Sequence, residues 1–228
     1  MRTIPEDYLI VIPARFGSTR FPGKALADIA GKPMIVRTAE RCLQVAGNDQ
    51  VVVATDDKKI MEACQEHGIW AELTKKEHRT GTDRVAEISR RFQAKRYINV
   101  QGDEPVFNPR DILSIADLSQ NPLVTLTGYC SLEKHMWGDS KHIKLVFSES
   151  YQLLYISRAD IPGSHSGEFV EGFRQVCIYS YSGESLDQVQ LREGRSRLES
   201  IEDHELLRFL ELGLPVQVAE LSSDSISV

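Results

Sequence analysis

The chain has 228 residues, enough for one substantial domain or one domain with a small lobe. Its net charge of -6, with no long run of Lys or Arg, argues against a nucleic-acid binder, which needs a basic face to displace counterions from phosphates. No apolar run approaches the roughly 18 residues of a membrane span, and Met1 to Asp7 lacks a signal-peptide apolar core.

The first clear element is Tyr8 to Ile12, an apolar run too short for a helix, read as a strand buried on both faces. A loop from Pro13 to Lys24 follows. Lys32-Pro33 then opens a helix through about Ala46, with proline suited to its first turn. Gln50 to Ala54 is another buried strand. Thr55-Asp56-Asp57 is placed to cap a helix from Lys58 to His67, which Gly68 ends. Trp70 to Leu73 is a short strand, Thr82 or Asp83 caps a helix to about Phe92, and Tyr97 to Val100 is a third buried strand. Pro109 begins a helix to about Leu118.

This alternation indicates a mostly parallel sheet with helices on both sides, in which ligands bind beyond the carboxyl ends of the strands. After Leu123 the pattern changes. Val124 to Cys130, His142 to Phe147, Gln152 to Ile156 and Gln175 to Tyr181 read as strands without long helices between them, a mixed or antiparallel extension suited to a dimer contact. Leu198 to Leu212 reads as one amphipathic helix ended by Gly213, and Val216 to Leu221 as a last strand. Cys42, Cys64, Cys130 and Cys177 form no C-x-x-C pair and no zinc spacing, and read as reduced cytosolic thiols.

Chemistry concentrates at the strand ends. The loop Arg15-Phe16-Gly17-Ser18-Thr19-Arg20-Phe21-Pro22-Gly23-Lys24 carries three cations, two glycines and two hydroxyls directly after a buried strand. Glycines admit close approach of backbone N–H groups to a phosphate, and Arg and Lys add charge-assisted bonds. The loop matches neither G-x-x-x-x-G-K-[ST] nor G-x-G-x-x-G. Asp103 follows the strand Tyr97–Val100. Alone it reads as a turn or cap residue; opposite a basic loop it reads as the holder of a divalent cation. His78-Arg79-Thr80-Gly81-Thr82-Asp83-Arg84 places hydrogen-bonding groups ahead of a helix, as a plain cap or as a grip on a base edge or phosphate.

Together, Ile10–Lys24, Gly31–Val36, Val53–Asp57, Thr80–Arg84 and Asn99–Pro105 resemble the CMP-Kdo synthetase family, the 3-deoxy-manno-octulosonate cytidylyltransferases. Weaker matches at Ile143–Val146, Leu154–Pro162 and Leu198–Glu202 extend the likeness over nearly the whole chain. The resemblance implies one α/β domain of the nucleotide-diphospho-sugar transferase-like, Rossmann-like three-layer class, with residues 1–122 binding CTP and 123–228 binding a sugar acid and forming a homodimer. It implies a cytoplasmic enzyme of lipopolysaccharide or capsule synthesis that joins CMP to the anomeric hydroxyl of Kdo or a Kdo-like ulosonic acid. Pro13, Ala14, Arg15, Lys24, Arg79, Thr80, Gly81, Thr82 and Gln101 would bind CTP. Asp103 would bind magnesium, and Arg15, Lys24 and Asp103 would carry catalysis. Arg158, Gln175, Tyr179, Glu199 and Glu202 would face the sugar acid, Arg158 pairing with its carboxylate through two bonds.

Three departures cluster in the sugar half. The family pattern His-x-Gly-Ile-Tyr becomes Gln175-Val176-Cys177-Ile178-Tyr179, Glu-Gln-Leu-Arg becomes Glu205-Leu206-Leu207-Arg208, and His204 replaces an apolar residue. The expectation is an acceptor related to Kdo rather than Kdo itself. The family also continues into Asp-Thr-Pro-Glu-Asp, whose first Asp is a second metal ligand, where this sequence stops at Val228. Asp224 lies too early to substitute, so weak magnesium binding is expected. The alternatives are a cytidylyltransferase for another acid, such as a phosphonate, and a catalytically weak CTP-binding protein.

Overall fold

A computed structural model describes residues 7–17, 21–119, 121, 124–192 and 194–222. The opening apolar run forms β1 (Tyr8–Ala14), with Leu9 to Ile12 wholly buried. A short ribbon of β2 (Asp28–Ile29) and β3 (Lys32–Pro33) leads into α1 (Met34–Cys42). This helix stops earlier than its apolar pattern predicts. Gln44 and Val45 donate to the carbonyls three residues back, so the last turn tightens and Leu43, Val45 and Ala46 reach the core from a turn. Then come β4 (Val51–Thr55), α2 (Lys58–Glu66) capped by Asp57, β5 (Ala71–Leu73), α3 (Gly81–Arg91), β6 (Arg96–Val100) and α4 (Arg110–Leu118).

The second half contributes β7 (Thr125–Ser131), β8 (Lys144–Phe147), β9 (Leu153–Ser157) and β10 (Phe173–Tyr181). The sequence pattern missed α5 (Gly183–Leu191), which Ser182 and Ser185 cap reciprocally. The helix expected over Leu198–Leu212 is two: α6 (Arg197–Glu202) and α7 (Leu206–Glu211), separated at Asp203, whose φ of 54° no helix tolerates. Periodicity missed the break because leucines and Phe209 on both sides still point to one core. The last strand is β11 (Val216–Glu220).

Among the described residues the main sheet runs β11-β7-β10-β6-β1-β4-β5, with β8 and β9 branching from β10. β1, β4, β5 and β6 are mutually parallel, β11 is parallel to β7, and β10 runs against β6, β7 and β8. The sheet thus passes unbroken from the first half to the second through β6 and β10, as the mixed parallel class predicts. Strand alternation sorts the core into two layers. Ile10, Ile12, Val51, Val53, Ile98 and Val100 pack under α1, α2 and α4, while Leu9, Val11, Val52, Ala54 and Tyr97 pack under α3, α5 and α7. Because β1, β4 and β6 are parallel, their carboxyl ends lie along one edge.

Candidate active site

The loop after β1 is built on that edge by groups from two other elements. Phe16 N donates to Asp56 Oδ1 at 3.1 Å, and Asp56 Oδ2 accepts from Arg84 Nη2 at 2.6 Å. Gly23 N closes the loop onto the Phe16 carbonyl at 2.9 Å, with Gly23 at φ 74°, a left-handed conformation that glycine adopts without steric cost. Lys24 then opens a single 3-10 turn and places Nζ 2.9 Å from Asp103 Oδ2. Arg15 is exposed directly after β1, and its charge is felt at both Arg84 and Asp203. Ser18, Thr19 and Arg20 lie outside the described residues, as do Asp224 and Val228.

Asp103 reaches Lys24 because the backbone before it packs against β1. A Cβ on Gly102 would stand 2.8 Å from the Pro13 carbonyl oxygen and 3.2 Å from Ile35 Cδ1; one on Gly81 would stand 3.1 Å from Pro13 Cγ. Pro13 and Ala14, the start of α3 and the turn after β6 therefore share one small volume. Thr38, buried in α1, donates to the Gly102 carbonyl and holds the turn from below.

The α3 terminus corrects the expected cap. Thr80, not Thr82 or Asp83, is the N-cap: its Oγ1 accepts from Asp83 N, and Asp83 Oδ2 accepts from Thr80 N at 3.0 Å and Arg79 N at 3.2 Å. Thr82 N instead donates to Glu205 Oε2 at 2.9 Å, and Gln101 Nε2 donates to Glu205 Oε1 at 3.2 Å. Burial pushes the Glu205 carboxyl above its usual range. Arg79 is exposed beside this segment, facing Gly194.

On the other half, Arg158 N donates to Glu202 Oε2 at 3.0 Å, and Arg158 Nε to the Glu202 carbonyl at 3.0 Å. Ser157 Oγ adds a 2.7 Å bond to Glu202 Oε1. Burial works against the Glu202 charge, but these bonds outweigh it and hold the carboxyl below its usual range. Gln175 Nε2 donates to Thr127 Oγ1, and Gln175 Oε1 accepts from His204 Nε2 at 2.8 Å. Leu206 N donates to His204 Nδ1, which assigns the proton to Nε2; burial lowers the imidazole to about 4.

Two of the expected sugar-side residues face inward. Glu199 is wholly buried, with both carboxylate oxygens on Arg208, Nη2–Oε1 at 2.6 Å and Nε–Oε2 at 2.8 Å. Arg208 Nη1 reaches Asp83 Oδ1 at 2.8 Å, so one guanidinium ties α6 to the cap of α3. Tyr179 packs in the second core layer, its ring stacked 5.9 Å from that of Tyr181. The structure thus joins Lys24 with Asp103, Gln101 with Thr82 through Glu205, and Arg158 with Glu202, and spends Glu199 and Tyr179 on packing. Sequence reading missed Asp56, Arg84, Glu205 and Arg208 as supports of the site. Asp56, Asp83 and Arg84 stood inside quoted motifs, whereas Glu205 and Arg208 stood out only as neighbours of departures.

The edge brings the Lys24 ammonium and the half-exposed Asp103 carboxylate face to face, groups of the kind that bind a polyphosphate and a hard cation. Among the described residues no three His, Cys, Asp or Glu side chains cluster as metal ligands. Among the described residues, Asp103 supplies a single carboxylate of the kind magnesium takes when phosphate oxygens and water complete its octahedron.

A family described as cytidylyltransferase matches residues 9–215. The 3-deoxy-manno-octulosonate cytidylyltransferase of Escherichia coli is 38% identical over 218 residues, covering 94% of this chain and 88% of that protein. The 8-amino-3,8-dideoxy-manno-octulosonate cytidylyltransferase of Shewanella loihica is 37% identical over 227 residues, covering 95% and 91%. A solved CMP:2-keto-3-deoxy-manno-octonic acid synthetase complexed with CTP superposes with a TM-score of 0.89 at 37% identity, covering 98% of this chain and 93% of that one.

Proposed function

Since this chain belongs to the cytidylyltransferase family, we propose that it transfers CMP from CTP to the anomeric hydroxyl of 3-deoxy-manno-octulosonate or a close ulosonic-acid relative, releasing pyrophosphate. The observation that carries this reading is the approach of Lys24 to Asp103 beside the Pro13–Gly81–Gly102 contact. The hydroxyl oxygen forms a bond to the α-phosphorus, the bond to the bridging oxygen breaks, and pyrophosphate leaves with that electron pair while the hydroxyl proton passes to solvent. Such transfer depends on alignment and charge neutralisation more than on a protein nucleophile. Lys24 and Arg15 neutralise the triphosphate, Thr80 to Thr82 and Gln101 orient the cytidine side, and Arg158 receives the sugar carboxylate. Magnesium would be held by Asp103 and supplies further charge neutralisation when bound.

One observation favours an acceptor other than Kdo itself. Gln175 and His204, both departures from the family pattern, are bonded to each other at 2.8 Å, so the two departures meet in one contact on the acceptor side. Pyrophosphate release should be followed with CTP, magnesium chloride and a panel of Kdo, 8-amino-Kdo and other keto sugar acids, with products identified by mass. Release with any of these acids supports the transferase. Clear preference for Kdo ends the altered-acceptor reading. Tight CTP binding with no release across the panel means a nucleotide-binding protein instead.

The working unit in this reading is a cytoplasmic homodimer. The exposed Leu154 and Val170 of the second half and four free cysteines support it. No helix among the described residues is long and apolar enough to cross a membrane. Light scattering gives the mass that checks the dimer.

A further inference from the structure

The break between α6 and α7 directs neighbouring side chains to three separate elements. Asp203 sits at φ 54° and ψ 47°, and Arg195 pins it, with Nη2 2.7 Å from Asp203 Oδ1 and 2.8 Å from the Glu199 carbonyl. On one side of the break Glu202 holds Ser157 and the Arg158 backbone; past it His204 holds Gln175. The next residue turns the other way. Glu205 accepts from Thr82 N, 123 positions away, and from Gln101 Nε2, 104 positions away. In a continuous helix the directions of these side chains would be tied to a fixed turn of about 100° per residue around one axis; the left-handed Asp203 releases His204 and Glu205 from that constraint. Both Glu205 donors belong to the side of the site read as nucleotide-binding, while both neighbouring grips belong to the side read as acceptor-binding.

We propose that Glu205 is a positioning residue that couples the two half-sites, so that the grip on CTP and the grip on the sugar acid depend on the same carboxylate. This rests on the cytidylyltransferase reading of the site. Loss of the carboxylate frees the first turn of α3 and the Gln101 amide on one side. On the other it loosens the Asp203–Glu205 turn, and with it His204 against Gln175 and Glu202 against Arg158. A group shared by two sites in this way links their affinities.

The test is steady-state kinetics of the full chain with CTP, magnesium chloride and Kdo, or whichever panel acid wild type turns over best. Wild type, E205Q and E205A are compared, with thermal midpoints recorded. E205A is expected to raise KM for CTP and KM for the sugar acid by about 5- to 20-fold each. E205Q keeps the shape and one acceptor oxygen, and both of its KM values should stay within about threefold of wild type. Partial misfolding would lower kcat through the active fraction and leave both KM values alone. A rise in only one KM, or E205Q as impaired as E205A, overturns the proposal. If E205A does not fold, E205D takes its place: it keeps the charge but withdraws it by one methylene, and unchanged KM values there overturn the proposal equally. Absence of pyrophosphate from wild type with every acid fails the transferase reading itself, and the coupling with it.

Discussion

Lys24 Nζ stands 2.9 Å from Asp103 Oδ2, although 79 residues separate them in the chain. Both side chains are partly exposed, 20% and 45%, so the pair contributes at most about 1 kcal/mol to folding. In the proposed reaction its position at the edge shared by β1 and β6 gives it another use: the lysine would neutralise the carboxylate until substrate charges take over. D103N and K24M are therefore expected to lower turnover by about 100-fold or more, with thermal midpoints within a few degrees of wild type. Pyrophosphate release and a melting curve on the same samples check this; a normal rate in D103N removes Asp103 from the chemistry.

Gly102 should be intolerant of even one methyl group. An alanine Cβ would press on the Pro13 carbonyl oxygen, 2.8 Å away, and only backbone movement relieves that contact. G102A is expected to cost about 1–3 kcal/mol and to raise KM for CTP several-fold, since the shift separates Pro13 from the Asp103 turn. Chemical denaturation and steady-state kinetics read the two effects separately.

The Glu199–Arg208–Asp83 triad is a stability element. Arg208 is almost wholly buried and meets two carboxylates. E199A leaves that guanidinium with half its charge balance and should destabilise by about 3–5 kcal/mol. Urea unfolding measures it, and a loss below about 1 kcal/mol would show that Arg208 finds another partner.

His204 makes stability depend on acid. Its folded value of about 4 lies below the ordinary 6.5, because burial disfavours the charged ring. Between those values the unfolded chain takes up a proton that the folded chain refuses. The contribution is complete above about pH 6.5 and is lost as pH falls toward 4, by up to about 3 kcal/mol. The groups that act on it are Arg158, Asp203 and Glu202. Urea midpoints for wild type and H204Q at pH 7 and pH 4.5 isolate the effect: the variant's stability should fall less across that range.

Much of this was written in local sequence. Short apolar runs such as Tyr8–Ile12 and Val51–Val53 can be buried only as strands in a sheet covered on both faces, and the parallel class follows from the helices between them. Where the first of those strands ends, a dense loop of cations and glycines reads as a candidate anion site from local sequence alone. Residue type and near-neighbour spacing decide such features, because the forces involved act over a few positions. The tertiary structure decided the rest. Glu199, read as a ligand contact, is claimed by Arg208; Glu205, without a signal of its own, reaches Thr82 and Gln101; and one left-handed residue divides an evenly patterned helix. Those outcomes depend on which strands become neighbours, and strand order brings together groups more than a hundred positions apart that no local pattern relates.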